Sequence, residues 1–324
     1  MTGSHDSSRL SRRVLLQATG GTIALSSAGI AGASGTDDSS GRLSRRCPDA
    51  TLQPSMGHCE GASVEGCADD HPATVALREE VQETLETRYP DVGALIDAGF
   101  KPYFDTLDGE DDGWSHWLNP EYIGDDTLLD PERPESVLVD NQSWRSIGVM
   151  FIATRDGEPI DPPPAVYDAD GDSESPDDGH EHDRDPDDDH DHENGHGHDQ
   201  DDDHHDYPEG DPDRCSPWHY HAGLPGRFAW WYYQQAYEGA FREGDLQLPC
   251  RTPCLMHVWA VDHPGGAYAH DGPPAASRDD EPAEDPGFED AEPGEDELGW
   301  DVLPDEVAPD RKPDEFSIPG RPGP

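Results

Sequence analysis

The first periodic stretch of the chain covers residues 72–88, where Val75, Ala76, Val81 and Leu85 recur near helical spacing and Glu79, Glu80, Glu83 and Glu86 fall between them. One apolar face and one acidic face predict an amphipathic helix. Pro90 ends it, since proline lacks an amide hydrogen and disfavours helix at the residue before it. Asp91 is then placed to cap a second helix through Val92, Leu95 and Ile96, with Gly99 as terminator. The pair reads as a helical hairpin packed by one face.

From Trp114 the periodicity changes. Residues 136–140 and 144–154 are rich in Val, Ile, Leu, Phe and Trp and flank Asp140-Asn141-Gln142-Ser143, which predicts a β-hairpin. The run from Ile147 to Ala153 is apolar on both faces, as a central strand must be, and Arg155-Asp156-Gly157-Glu158 supplies the next turn. Further strands are predicted near residues 228–233 and 255–261. Between the two halves, residues 156–213 lose all periodicity and become a solvated insertion of Asp and His. Past Asp271 the chain is Pro, Gly, Asp and Glu with a short apolar spot at residues 300–303, which predicts a disordered acidic tail.

The predicted fold class is therefore α+β, an N-terminal helical hairpin on a small, mostly antiparallel sheet, interrupted by a disordered acidic His-rich insertion and followed by the tail. The divisions are a signal at 1–33, a flexible Cys-containing segment at 34–71, a first half-domain at 72–155, the insertion at 156–213, a second half-domain at 214–270 and the tail at 271–324. The two halves together are long enough for one core.

Charge narrows the partners. There are 73 acidic residues against 21 Lys and Arg, a formal net charge of -52 and a pI near 4.2, so nucleic acid and anionic membranes are poor partners. Only Lys101 and Lys312 are lysines. Acidic residues run through the foldable parts as well as the tail, a pattern expected of a protein adapted to high salt, where self-repulsion is screened within roughly 3 Å at molar ionic strength. The N-terminus reads Ser11-Arg12-Arg13-Val14-Leu15-Leu16-Gln17 and continues through a weakly apolar run to Ala31-Gly32-Ala33. This resembles a twin-arginine export signal cleaved after Ala33. Retention as a signal anchor is the one membrane association the sequence allows. An exported location, extracellular or at the cell surface, makes disulfides the natural state of Cys47, Cys59, Cys67, Cys215, Cys250 and Cys254. About fifteen pairings are possible; Cys59 with Cys67 and Cys250 with Cys254 are the locally plausible ones.

The candidate chemistry is metal binding. The insertion carries eight histidines between His180 and His205, several as H-x-H units that chelate divalent transition metals loosely in a structureless chain. Four other histidines sit among aromatics in foldable segments: His116 in Trp114-Ser115-His116-Trp117, His219 and His221 in Trp218-His219-Tyr220-His221, and His257 in Met256-His257-Val258-Trp259. On a strand, His219 and His221 share a face. Convergence of His116, His219, His221 and His257 would make a zinc or copper site, copper being admitted by the neighbouring Met256. Packed core histidines are the competing reading. No H-E-x-x-H, G-x-S-x-G, phosphate loop or dinucleotide fingerprint occurs. A metal-dependent hydrolase or oxidoreductase would need a general base, for which Glu238 and Asp262 are the candidates. The aromatics of residues 228–233 could instead stack a glycan on a surface protein that binds no metal.

Several longer motifs stand out: Ser115-His116-Trp117-Leu118-Asn119-Pro120, Leu129-Asp130-Pro131-Glu132-Arg133-Pro134-Glu135, Ile147-Gly148-Val149-Met150-Phe151, and His257-Val258-Trp259 leading to Pro264-Gly265-Gly266-Ala267-Tyr268-Ala269. With Ala94-Leu95-Ile96-Asp97-Ala98-Gly99-Phe100 they cover about a tenth of the chain. In these motifs the sequence resembles an uncharacterised family of exported bacterial and archaeal proteins, some with twin-arginine signals, and the acidic composition would make it a halophilic archaeal member. Such relatives commonly carry Asn-Pro where this chain has His263-Pro264, and the His/Asp insertion lies outside the shared pattern. The resemblance implies that His116 and His257 belong to one architecture; it implies no established activity.

Overall fold

A computed structural model describes residues 47–105, 113–168, 214–239, 247–278, 281–284 and 286–316. The expected export signal, the linker after it and residues 169–213 of the expected insertion lie outside the described residues, whereas residues 156–168, expected to be structureless with them, include a strand at Glu158–Pro159 and a buried Tyr167.

Local rules explain the helices. Helix α1 (Pro72–Thr87) starts with proline at its first turn and with His71 as cap, whose ring accepts from the Ala73 amide at 3.2 Å. Its buried face is Thr74, Val81, Thr84 and Leu85, whereas Val75, expected inside, is 38% exposed. Helix α2 (Val92–Asp97) is capped by Asp91, which accepts from the Ala94 amide at 3.0 Å. It ends at Gly99, whose φ of +85° is the left-handed conformation that closes a helix.

Nine strands follow: β1 (Met56–His58), β2 (Lys101–Tyr103), β3 (Trp114–Leu118), β4 (Ser136–Asp140), β5 (Ser146–Ile152), β6 (Thr154–Arg155), β7 (Glu158–Pro159), β8 (His219–His221) and β9 (Leu255–Trp259). Strands β6 and β7 pair with each other; the rest form one antiparallel sheet in the order β1-β8-β9-β5-β4-β3-β2. The fold is thus α+β, with a seven-stranded sheet larger than expected. The apolar run of β5 lies at its centre, flanked by β4 and β9.

Residues opposite one another in an antiparallel pair share a face, so the register sorts the sheet. One face presents Trp117, Val137, Val149, Phe151, Met256 and Val258, and α1 and α2 cover it through Val81, Leu85, Val92 and Leu95. Arg78 and Gln82 of α1 fasten that layer by donating to the carbonyls of Trp259 and Ala260. The other face carries Tyr103, Leu118, Leu138, Met150, Ile152 and Leu255, and in line with them His116, His219, His221 and His257. Gly148 is needed on this face, because a Cβ there would lie 2.9 Å from the Val258 carbonyl oxygen and 3.0 Å from the Trp259 ring.

Three expectations are corrected. Residues 228–233 are not a strand: helix α3 (Pro120–Ile123) is followed later in the chain by helix α4 (Gly226–Tyr233), which a π-turn, Gln234–Glu238, prolongs. In α4, Phe228, Trp231 and Tyr232 share the buried side at helical spacing, while Trp230, which alternation would have buried, is only partly buried. The segment past Asp271 is not structureless throughout. Residues 286–316 follow the β4–β5 turn, with the amides of Gly294 and Leu298 donating to the Gln142 and Asn141 carbonyls at 2.8 Å, and they bury Ala291, Leu298 and Leu303. The locally plausible disulfides do not form either: the bridges are Cys47–Cys250, Cys59–Cys254 and Cys67–Cys215. They hold residues 47–71, expected to be flexible, against β8 and β9, where β1 pairs with β8.

Candidate metal centre

The alternation of Trp218-His219-Tyr220-His221 puts both histidines of β8 on one face, as expected, while Trp218 is buried among the opposite core. Strand β8 is fixed by β1 on one side and β9 on the other, and the His221 amide donates to Thr252 Oγ1 at 3.0 Å. His257 stands in the middle of β9, opposite Met150. Strand β3 lies three places from β9 in the sheet, a distance of about 14 Å in a flat sheet. Yet the His116 and His257 rings are 5.9 Å apart and the Trp114 and Trp259 rings 5.4 Å. The sheet therefore curls toward this face, and the histidines line its concave side.

A fifth imidazole joins them. After β9 the chain turns back through Asp262 to Ala269, held by the Ala267 amide donating to Asp69 Oδ1 at 2.9 Å and by Trp259 Nε1 donating to the Ala269 carbonyl at 2.8 Å. Gly266, at φ +92°, makes the turn possible. This delivers His270 to the cluster, with its ring centre 4.9 Å from that of His219 and 5.2 Å from that of His221, which are themselves 5.3 Å apart. One nitrogen from each of these three rings falls within 4.8 Å of the others, so His219, His221 and His270 could hold a metal ion.

Those spacings have a chemical meaning. An ion bound at about 2.0–2.1 Å from an imidazole nitrogen lies about 3.2 Å from the ring centre, and two rings on a tetrahedral ion then stand about 5.2 Å apart. The three observed separations, 4.9, 5.2 and 5.3 Å, are close to that figure. His257 is wider, 5.7 Å from His219 and 6.0 Å from His270. The geometry thus brings together five histidines, of which three have tetrahedral spacing and two, His116 and His257, stand beside them.

The outer nitrogens are engaged. His257 Nδ1 lies 3.0 Å from the His270 carbonyl oxygen, and since a carbonyl only accepts, this nitrogen carries the proton and Nε2 keeps its lone pair. His219 is hydrogen-bonded to the Pro217 backbone, and its Nε2 is buried without a hydrogen-bond partner among the described residues. His270 Nδ1 meets Asp271 Oδ1 at 3.0 Å. Outer-shell partners of this kind orient metal-bound imidazoles. Burial, reinforced by the neighbouring imidazoles, lowers His116 to about 3 and His221 to about 4, and pushes His219 and His257 well below the usual histidine range. These four rings are therefore neutral at neutral pH, the state in which imidazole ligates a metal.

His116, His221, His257 and His270 also line a cavity of about 770 Å³. Its remaining walls are mostly apolar, with Trp114, Leu118, Met150, Ile152 and Leu255 from the sheet and Trp230 from α4. Neither general-base candidate reaches it. Asp262 is a solvent-exposed partner of Arg78, and Glu238 accepts from Tyr233 Oη at 2.8 Å. The aromatics of 228–233 are largely consumed in the core, which leaves Trp230 as the ring of that group at the cavity.

No family model, curated protein or solved structure matches the chain. The residues themselves therefore carry the functional reading.

Sequence reasoning missed His270. It stands at the edge of the acidic tail, next to Asp271, with no apolar periodicity around it. The available signal was its position directly after Pro-Gly-Gly-Ala-Tyr-Ala, a turn-forming segment that follows the His257 strand.

Proposed function

We propose that this is an exported, salt-adapted protein that binds one divalent transition-metal ion, zinc or copper, through His219, His221 and His270. The observation that carries the reading is the triad itself: three imidazoles at tetrahedral separation, one of which buries an unpartnered Nε2. Leaving such an atom unsatisfied costs about 1–3 kcal/mol, a cost that ligation removes. His116 and His257 stand beside the triad without ligating the ion in this reading, His257 with its tautomer set by the His270 carbonyl. The histidines of the 180–205 tract act as a loose reservoir. Three disulfides support an oxidising, exported setting, and the motif resemblance and acidic composition support a halophilic member of the exported family described above. Among the described residues no helix is long and apolar enough to cross a membrane.

A catalytic role is the second reading, favoured by the cavity beside the triad, since catalytic metal sites keep one coordination position open. The test is metal analysis of the full-length chain with the eight tract histidines replaced by serine, which removes adventitious binding. The expected result is about one zinc or copper ion per chain after reconstitution, lost when His219, His221 and His270 are replaced by alanine. Metal content that survives the triple substitution would overturn the assignment.

A further inference from the structure

We infer that the cavity beside the triad receives an uncharged aromatic molecule bearing one nitrogen or oxygen donor, which completes the coordination of the bound ion. This rests on the metal reading above and adds a ligand class to it.

The first support is the incomplete ligand set. Three imidazoles leave a tetrahedral ion one position short, and among the described residues no fourth histidine, cysteine or carboxylate belongs to the group. Two of the three ligands, His221 and His270, line the cavity, so an ion held by them borders that space. The cavity, about 770 Å³, falls within the roughly 300–1,000 Å³ typical of pockets for small organic ligands.

The second support is the chemistry of the walls. Trp114, which packs against His116 and His257 at 4.8 and 5.9 Å, lines the cavity together with Trp230, Leu118, Met150, Ile152 and Leu255. Such a surface favours a flat apolar body, through area burial and ring packing. The cationic group in the lining, Arg278, is committed: it donates to the Gly113 and Pro273 carbonyls at 2.7 and 2.9 Å and pairs with Asp140 at 3.2 Å. An anionic ligand would also have to approach a chain of net charge -52. A neutral donor on an aromatic body avoids that repulsion and uses both surfaces.

Cobalt(II) makes the inference testable, because its visible bands report tetrahedral coordination and respond to a change of ligand. The full-length chain with serines in place of the tract histidines is loaded with cobalt and titrated with imidazole and with 4-phenylimidazole. Both should shift the bands, and the phenyl compound should bind roughly ten- to a hundredfold more tightly, the effect of burying one aromatic ring. Trp230→Ala, at a partly buried ring of the cavity wall, should reduce that ratio by at least about threefold while leaving the cobalt stoichiometry at the triad unchanged. Trp114→Phe should reduce it less. Equal affinities for the two ligands, or bands that move with neither, would overturn this inference alone. A chain that takes up no cobalt at the triad would overturn the metal reading and this inference together.

Discussion

Glu135 offers the sharpest quantitative prediction in the fold. It follows Pro134 at the entrance to β4, is 2% exposed, and accepts a hydrogen bond from the Ile152 amide at 3.3 Å. Burial, with repulsion from Asp125 and Asp130, raises its carboxyl from 4.5 to about 8, against which the backbone hydrogen bonds act only in part. Below pH 4.5 the acid is protonated folded and unfolded alike. Between 4.5 and about 8 the unfolded chain gives up the proton and the folded protein keeps it. Stability is therefore lost as pH rises through that window, at up to about 1.4 kcal/mol per pH unit. In Glu135→Gln the amide oxygen still accepts from Ile152 but nothing titrates. Urea unfolding of both proteins from pH 5 to pH 7 should show the variant gaining roughly 2 kcal/mol on the parent across the interval. Subtracting the two curves cancels every other titrating group. Parallel curves, within about 0.5 kcal/mol, would refute a buried neutral carboxylic acid.

Two further predictions test the periphery. Leu298→Ala removes a side chain that is 2% exposed and anchors residues 286–316 beside the β4–β5 turn; it should cost about 2–4 kcal/mol in chemical denaturation, whereas a tail that contributes nothing would leave the midpoint unchanged. With a formal charge of -52, thermal unfolding should move upward by several degrees between 0.1 M and 2 M potassium chloride as repulsion is screened. A midpoint insensitive to salt would argue against adaptation to brine.

Much of this architecture was readable because its signals are local. Asp91 caps α2 and Gly99 ends it, the two arms flanking Asn141-Gln142 pair as β4 and β5, and His219 and His221 share a face, each decided by residues a few positions apart. Features set by distant partners were not readable. Phe228 to Tyr233 has the composition of a strand, and only the apolar ceiling over Met150, Ile152 and Trp259 selects the helical spacing of Phe228, Trp231 and Tyr232. Cysteine spacing favours short loops, but the docking of β1 on β8 brings residues 47–67 alongside 215–254. The segment after residue 285 is polar on average and is held by a few apolar anchors, such as Leu298, Trp300 and Leu303, that composition dilutes. His270 is the same problem at the site: a loop residue next to an aspartate gains meaning only when Trp259 and Asp69 fold that loop onto the sheet.

The three disulfides share a property that concerns the integrity of the polypeptide. Each joins a cysteine before residue 168 to one after residue 214. At the base of the intervening segment the Cys215 amide donates to the Tyr167 carbonyl at 2.9 Å and the Val166 amide to the Cys215 carbonyl at 2.8 Å, so the entering and leaving strands lie side by side. Peptide-bond cleavage anywhere between 169 and 213 would therefore yield a two-chain molecule, inseparable by denaturant alone and resolved into two pieces only by a reductant. The same clamp would keep the five histidines, one before that segment and four after it, in one molecule.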